Sequence, residues 1–189
     1  MSGPPRTAKF EECPACSYKF RPAAKSSDSL PLPDPKTTGL RLVLCDIRSI
    51  FNVGSFFRTA AAFDVLEIFL CGITGGPPRA DLSKVALGAE RMVPWSYHRD
   101  PKALLESLKN AGHALCLFDT GVDAIPLPRS APPSAVLVFG GERGGLSGEV
   151  KKEFGAPYRI PHPGPKDSLN VSVAGGIAAF WATGMGSRD

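Results

Sequence analysis

Long apolar runs are missing from these 189 residues. Nothing approaches the roughly 20 consecutive apolar residues that a membrane-spanning helix needs. No apolar stretch follows the charges in Met1–Phe10, so no secretory leader is expected. Cysteine is sparse and odd in number, five residues in all, without a framework of repeated spacings. Cys45, Cys71 and Cys116 fall in apolar, strand-like runs, where cysteine acts as a small buried hydrophobe. That usage points to a reducing, cytoplasmic setting. The single C-x-x-C, Cys13-Pro14-Ala15-Cys16, has no second pair, and His98, His113 and His162 lie far along the chain. A zinc ribbon needs such additions, so no metal site is expected. The net charge is only +4, which is compatible with a polyanionic partner and does not demand one. Neither a G-x-G-x-x-G nor a P-loop occurs, which removes a nicotinamide-dependent oxidoreductase and triphosphate cradling. There is no internal repeat.

What is present fits one domain with an extension. Hydrophobic residues make up 43% of the chain, enough for a core. Residues 1–37 are rich in Pro, Ser, Lys and Arg, and Ser26–Pro35 reads as a linker. Arg6, Lys9, Lys19, Arg21 and Lys25, with Phe10, Tyr18 and Phe20 between them, could meet RNA through charge and stacking. From residue 38 to 186, apolar runs alternate with helical patterns. Strands are predicted at Leu40–Asp46, Val65–Gly72, Ala114–Asp119, Ala135–Phe139 and Tyr158–Pro161. Helices are predicted at Asn52–Phe63, Pro101–Ala111, Ser147–Phe154 and Ser168–Thr183, with a helical turn at Ser83–Ala89. Trp95 reads as packing beside a loop. Near-continuous apolar strands separated by helices mean an α/β fold, a mostly parallel sheet covered on both faces.

Such sheets bind ligands beyond the carboxyl ends of their strands, and three segments fall there. The first is Asn52-Val53-Gly54-Ser55-Phe56-Phe57-Arg58-Thr59-Ala60. Asn52 is a good N-cap type. Ser55, Arg58 and Ala62 share a helix face beside Gly54 and Ala61, so one cation projects from a surface of little bulk. Val53, Phe56, Phe57 and Phe63 read as core. The second is Gly140-Gly141-Glu142-Arg143-Gly144-Gly145-Leu146-Ser147, where glycines would let bare backbone approach a ligand. The third runs from Ile160 through three prolines to Ser168-Leu169-Asn170-Val171-Ser172. It enters a helix through Asp167 or Ser168 as cap, which would place Asn170 in the first turn. Ser172, Gly175, Gly176 and Ala179 then form a small-residue face suited to close packing.

Together these segments resemble the three motifs of the SpoU/TrmH family of RNA ribose 2′-O-methyltransferases. N-x-G-x-x-x-R-T-A is matched at Asn52, Gly54, Arg58, Thr59 and Ala60. G-x-E-x-x-G-[LV]-S is matched at Gly140, Glu142, Gly145, Leu146 and Ser147. I-P…S-L-N-V-S is matched at Ile160, Pro161 and Ser168 to Ser172. A departure is Gly141, where many relatives carry Asn. The resemblance implies a SPOUT fold with a C-terminal trefoil knot, S-adenosyl-L-methionine as cofactor, and a homodimer with its site near the subunit interface. It places cofactor contacts on Phe118, Gly140, Ile160, Ser168 and Leu169, and catalytic roles on Asn52, Arg58, Glu142, Ser168 and Asn170. It implies an RNA partner, tRNA or rRNA. The short extension leaves no room for a separate substrate domain, which tilts the reading to tRNA. The alternative is a non-catalytic RNA-binding module on the same fold.

A ribose hydroxyl must be aligned behind the methyl group and must lose its proton. The family assigns that proton to Arg58, yet a guanidinium stays protonated in proteins. We expect Arg58 instead to grip the phosphate bidentately and to stabilise the developing alkoxide. A phosphate oxygen or water then takes the proton. Glu142 is expected to hydrogen-bond Arg58 or Asn52.

Overall fold

The computed structural model describes residues 11–12, 19–20, 32, 34 and 37–184. Cys13, Cys16 and most of the basic and aromatic residues of the extension lie outside the described residues. So does most of the expected linker. Two short strands of the extension, β1 (Glu11–Glu12) and β2 (Lys19–Phe20), pair antiparallel.

The main sheet has seven strands, every neighbouring pair parallel, in the order β5-β4-β3-β8-β6-β9-β7. They are β3 (Arg41–Cys45), β4 (Glu67–Cys71), β5 (Trp95–His98), β6 (Leu115–Phe118), β7 (Ile125–Pro126), β8 (Val136–Phe139) and β9 (Tyr158–Arg159). All residues of β3 and β8 are buried, as expected of central parallel strands covered on both faces. Leu42 and Leu44 of β3 pack with Phe56 and Phe57 of α1 (Ile50–Ala62) and with Ala178 and Ala179 of α5 (Val171–Ala182). Val43 and Cys45, pointing the other way, pack with Leu104, Leu105 and Leu108 of α3 (Pro101–Asn110) and Val150 of α4 (Gly148–Phe154). Alternation along one strand thus builds both cores. The apolar α1 residues read as core from the sequence are there: Val53, Phe56 and Phe57 are fully buried.

Two strands differ from expectation. Trp95 opens β5 instead of flanking a loop, because Trp-Ser-Tyr-His has no apolar run to announce it. β7 is only Ile125–Pro126, an exposed edge, where proline is tolerated. The helical turn expected at Ser83–Ala89 lies three residues earlier, as α2 (Ala80–Ala86), closed by Leu87 in the left-handed conformation and followed by a 3-10 turn at Ala89–Arg91.

One polar side chain is built into the start of the sheet. Arg41 is 1% exposed and donates through its Nη atoms to the carbonyls of Thr37 (3.4 Å) and Gly39 (3.5 Å). Burial pushes the neighbouring Glu67 carboxyl up, against the Ser96 hydroxyl and the Arg41 charge, which favour ionisation.

The chain runs β3 to β4 to β5 outward on one side, then returns to build β6 and β8 on the other. That reversal leaves a crevice at the carboxyl ends of β3, β8 and β6.

Candidate active site

Beyond those strand ends lies a cavity of about 600 Å³. Phe118, Phe139 and Tyr158 give it apolar walls, and Asp119, Glu142 and Lys151 give it charged ones. Phe118 stacks on Phe139 with centroids 5.1 Å apart, and Trp181 closes on Phe118 from behind at 6.0 Å. The five residues expected to touch a cofactor, Phe118, Gly140, Ile160, Ser168 and Leu169, all line this cavity.

The glycine segment leaves β8 as a tight loop. Gly145 N–H donates to the Gly141 carbonyl at 2.9 Å. A Cβ on Gly140 would sit 2.1 Å from the Gly145 carbonyl carbon, and one on Gly141 would sit 2.7 Å from the Asp46 carbonyl oxygen. Gly145 has φ +60° and lies against the Asp119 carboxylate. Asp119 fixes the loop: it accepts from the Leu146 N–H at 3.2 Å and pairs with Lys151 at 3.4 Å. Sequence reasoning missed Asp119 and Lys151. The signal was available, since Asp119 ends the β6 run at the carboxyl edge where ligands bind.

Glu142 is the node of the site. Its Oε1 accepts from Asn52 Nδ2 at 2.9 Å and from the Ser49 N–H at 3.0 Å; its Oε2 accepts from the Arg48 N–H at 3.0 Å. Partial burial disfavours the charge. The bonds from the Asn52 side chain and from its own, Arg48 and Ser49 backbone amides outweigh it and hold the carboxyl below its ordinary range. A depressed acid stabilises the fold above its unfolded pKa and loses that contribution as pH falls through the folded value. Glu142→Gln is therefore expected to flatten the acid limb of a thermal-melt profile below about pH 4.5. The cost near neutral pH is small, about 1 kcal/mol, because the side chain is exposed.

Asn52 bridges to the third segment, its Oδ1 accepting from Asn170 Nδ2 at 3.1 Å. Two cap assignments change here. Ser49, not Asn52, caps α1: its extended backbone turns in, and its hydroxyl accepts from the Asn52 N–H at 3.4 Å. Asn52 is therefore buried and free to serve Glu142. Likewise Asn170, not Asp167 or Ser168, caps α5, accepting from the N–H groups of Ser172 (2.9 Å) and Val173 (3.4 Å). The chain through the prolines stays non-helical up to Asn170. Ser168 is left exposed at the cavity wall. Gly141 bears no side-chain amide, and the Asn52 side chain supplies Glu142 with one instead.

Arg58 stands apart from this group within one chain. It follows Asn52 by six residues on α1, about 9 Å of rise and roughly a third of a turn off. It is exposed and does not line the cavity. Gly54 is not part of an open ligand face either: it is buried against α2, where a Cβ would sit 2.8 Å from Val85 Cβ. On α5, Gly175 takes the Phe56 ring, with a Cβ 2.2 Å from Phe56 Cε1, while Gly176 has open space. Among the described residues no group of three His, Cys, Asp or Glu side chains is arranged for a metal ion, and no helix is long and apolar enough to cross a membrane.

Known proteins resemble this chain in sequence and in fold. The chain is 31% identical over 146 residues to a tRNA (guanosine(18)-2'-O)-methyltransferase of Thermus thermophilus, covering 76% of this chain and 73% of that one. A structure addressing 2-OH methylation of C/U34 on tRNA superimposes with a TM-score of 0.69 at 30% identity, over 79% of this chain and 97% of the other. An AdoMet-bound rRNA methyltransferase from Sinorhizobium meliloti gives a TM-score of 0.73 at 25% identity, over 83% of this chain and 60% of that one. The chain spans about half the length of other curated relatives that it matches, 44% of one and 59% of another. The sequence profile that describes the SpoU rRNA Methylase family matches residues 39–180, with all three loops of the cavity inside that span, and the chain belongs to that family.

Proposed function

We propose that this protein is an S-adenosyl-L-methionine-dependent RNA methyltransferase that methylates a ribose 2′-hydroxyl. It favours tRNA, acts in the cytoplasm and works as a homodimer on the knotted family fold. The observation that carries the reading is the Glu142–Asn52–Asn170 connection at the wall of a cavity whose loops a Cβ would obstruct. The cavity suits the cofactor: aromatic walls for an adenine ring, carboxylates for hydroxyl and cationic groups, and a size within the range of small-molecule sites. Gly140, Ile160 and Leu169 would hold it through backbone, with Phe118 and Ser168 beside them. Bound S-adenosylmethionine supplies an electrophilic methyl on a cationic sulfur.

The chain's residues do the rest. Ser168 and Asn170 orient the ribose. Glu142 is a poor base, because its charge is already held by three donors; it organises Asn52 and, through it, Asn170. Arg58 keeps its proton, grips the RNA phosphate with its fork and steadies the alkoxide, and the hydroxyl proton leaves to phosphate or water.

A second copy of the chain would complete the site with its Arg58. An apolar face supports this: Phe51 is 67% exposed on α1, and Val173, Ile177 and Phe180 are 52%, 39% and 45% exposed on α5. Such a patch marks an interaction surface. The tRNA preference is supported by likeness to the tRNA-linked structure, 30% identical and matched over 97% of that chain.

Ribose-methylation mapping of total RNA from cells with and without the gene tests the reading. One mark missing from a tRNA is the expected result. RNA binding with no methyl transfer from S-adenosylmethionine would instead give the alternative, a binding module.

A further inference from the structure

The loop that leads into α5 has a donor problem. Pro161, Pro163 and Pro165 carry no N–H. Its carbonyls at either end, Ile160 and Lys166, need partners from elsewhere. One side chain meets both: His162 Nδ1 lies 3.1 Å from the Ile160 oxygen, and Nε2 lies 2.8 Å from the Lys166 oxygen. A neutral imidazole has one N–H and one lone pair, so it can serve only one carbonyl and turns a lone pair toward the other. An imidazolium donates to both. The two distances therefore suit the charged ring, which alone satisfies both carbonyls.

We propose that His162 is a positioning residue, a protonation-dependent staple that closes residues 160–166 into the shape that presents Ser168, Leu169 and Asn170 to the cofactor cavity. It touches neither reacting atom. It holds the two feet of the loop, and the loop's end becomes the cap of α5. The inference rests on the cofactor reading given above.

The surroundings are mixed in sign. The two carbonyls, Lys166 first and Ile160 second, raise the ring's pKa above the usual histidine value; partial loss of solvent and the Arg159 charge on β9 oppose this, and Asp167 assists. Lys166 carries its own charge on the same loop. From the facing walls come Glu142 and Arg143 of the glycine loop, Asp119 after β6 and Lys151 of α4. The cavity therefore holds acids and bases in equal number opposite the ring. For a group whose pKa is raised in the closed loop, closure is fully supported below the ordinary pKa near 6.5 and is lost as pH rises through the raised value.

The test uses the full-length protein in two ways. Without ligand, nitrogen-detected NMR against a His162→Gln spectrum should show one histidine with both ring nitrogens protonated and a pKa above about 6.5. A ring with one protonated nitrogen and an ordinary pKa overturns the staple. With ligand, calorimetric affinities for S-adenosylmethionine and for S-adenosylhomocysteine, which lacks the sulfonium charge, should both weaken roughly fivefold to tenfold from about pH 6 to about pH 8. In His162→Gln both profiles should be flat. If instead only the sulfonium form responds, and binds more tightly as pH rises, the ring acts by direct repulsion and the staple is wrong. A pH-independent affinity also overturns it. Failure of either ligand to bind at any pH overturns the cofactor reading and with it the role assigned to the loop.

Discussion

Arg58→Ala should lower kcat for ribose methylation at least about a hundredfold, while S-adenosylmethionine affinity stays within about twofold. The split follows from place. Arg58 is exposed on α1 and absent from the cavity wall, so the cofactor should not notice its loss. Arg58→Lys should be nearly as impaired, because an ammonium keeps the charge and loses the two-pronged geometry. Steady-state kinetics on a transcript of the identified RNA measure both. A mixing experiment then locates the guanidinium. Asn170→Ala subunits retain Arg58, and Arg58→Ala subunits retain the Glu142–Asn52–Asn170 group. If one site draws on two chains, equal exchange of the two inactive variants restores about a quarter of wild-type turnover. A mixture that stays dead after exchange, with hybrids verified by mass spectrometry, would mean that each chain supplies its own arginine.

Gly140→Ala should weaken cofactor binding by about a hundredfold or more. The added methyl would meet the Gly145 carbonyl carbon at 2.1 Å, its oxygen at 2.2 Å and the Leu146 nitrogen at 2.3 Å. All three are backbone, so no side chain can swing aside. The loop has to open, and opening pulls Leu146 from Asp119 and disturbs the bend that holds Glu142. Gly144→Ala is the matched control, since nothing lies within 4 Å of its Cβ; it should bind normally. Trp181 packs on Phe118 and Tyr158 at the cavity wall, so its fluorescence in a Trp95→Phe background gives the titration signal. Equal affinities for the two alanine variants would refute the packing argument.

The sheet was readable where burial is two-sided. Arg41–Cys45, Glu67–Cys71 and Val136–Phe139 are near-continuous apolar runs, and each emerged within one or two residues of its bounds. β5 was hidden because Ser96 and His98 are polar positions inside it: Ser96 is buried in hydrogen bonds to Glu67 and His98, and a satisfied polar residue leaves no periodic trace. The cavity wall was legible because glycine bares the backbone and proline stiffens it, and both effects act locally. The caps were not. Asp167, Ser168 and Asn170 are all competent cap residues, and Ser49 and Asn52 compete in the same way. The choice depends on what each side chain meets across the fold, Glu142 in one case and Asn52 in the other. Asp119 and His162 escaped for a similar reason, since a lone acid and a lone histidine show their partners only in three dimensions.

The links between the three motifs all run one way. The Ser172 hydroxyl donates to Asn170 at 2.7 Å, Asn170 donates to Asn52, and Asn52 donates to the Glu142 carboxylate. Two amides that could each rotate by half a turn are thus polarised like beads on a string by a single anion at the far end. Neutralising that anion loosens Asn52, while Asn170 stays set by the Ser172 and Val173 N–H groups it accepts from, so an ionisation on the glycine loop reaches the opening turn of α5 through the Asn52 amide alone.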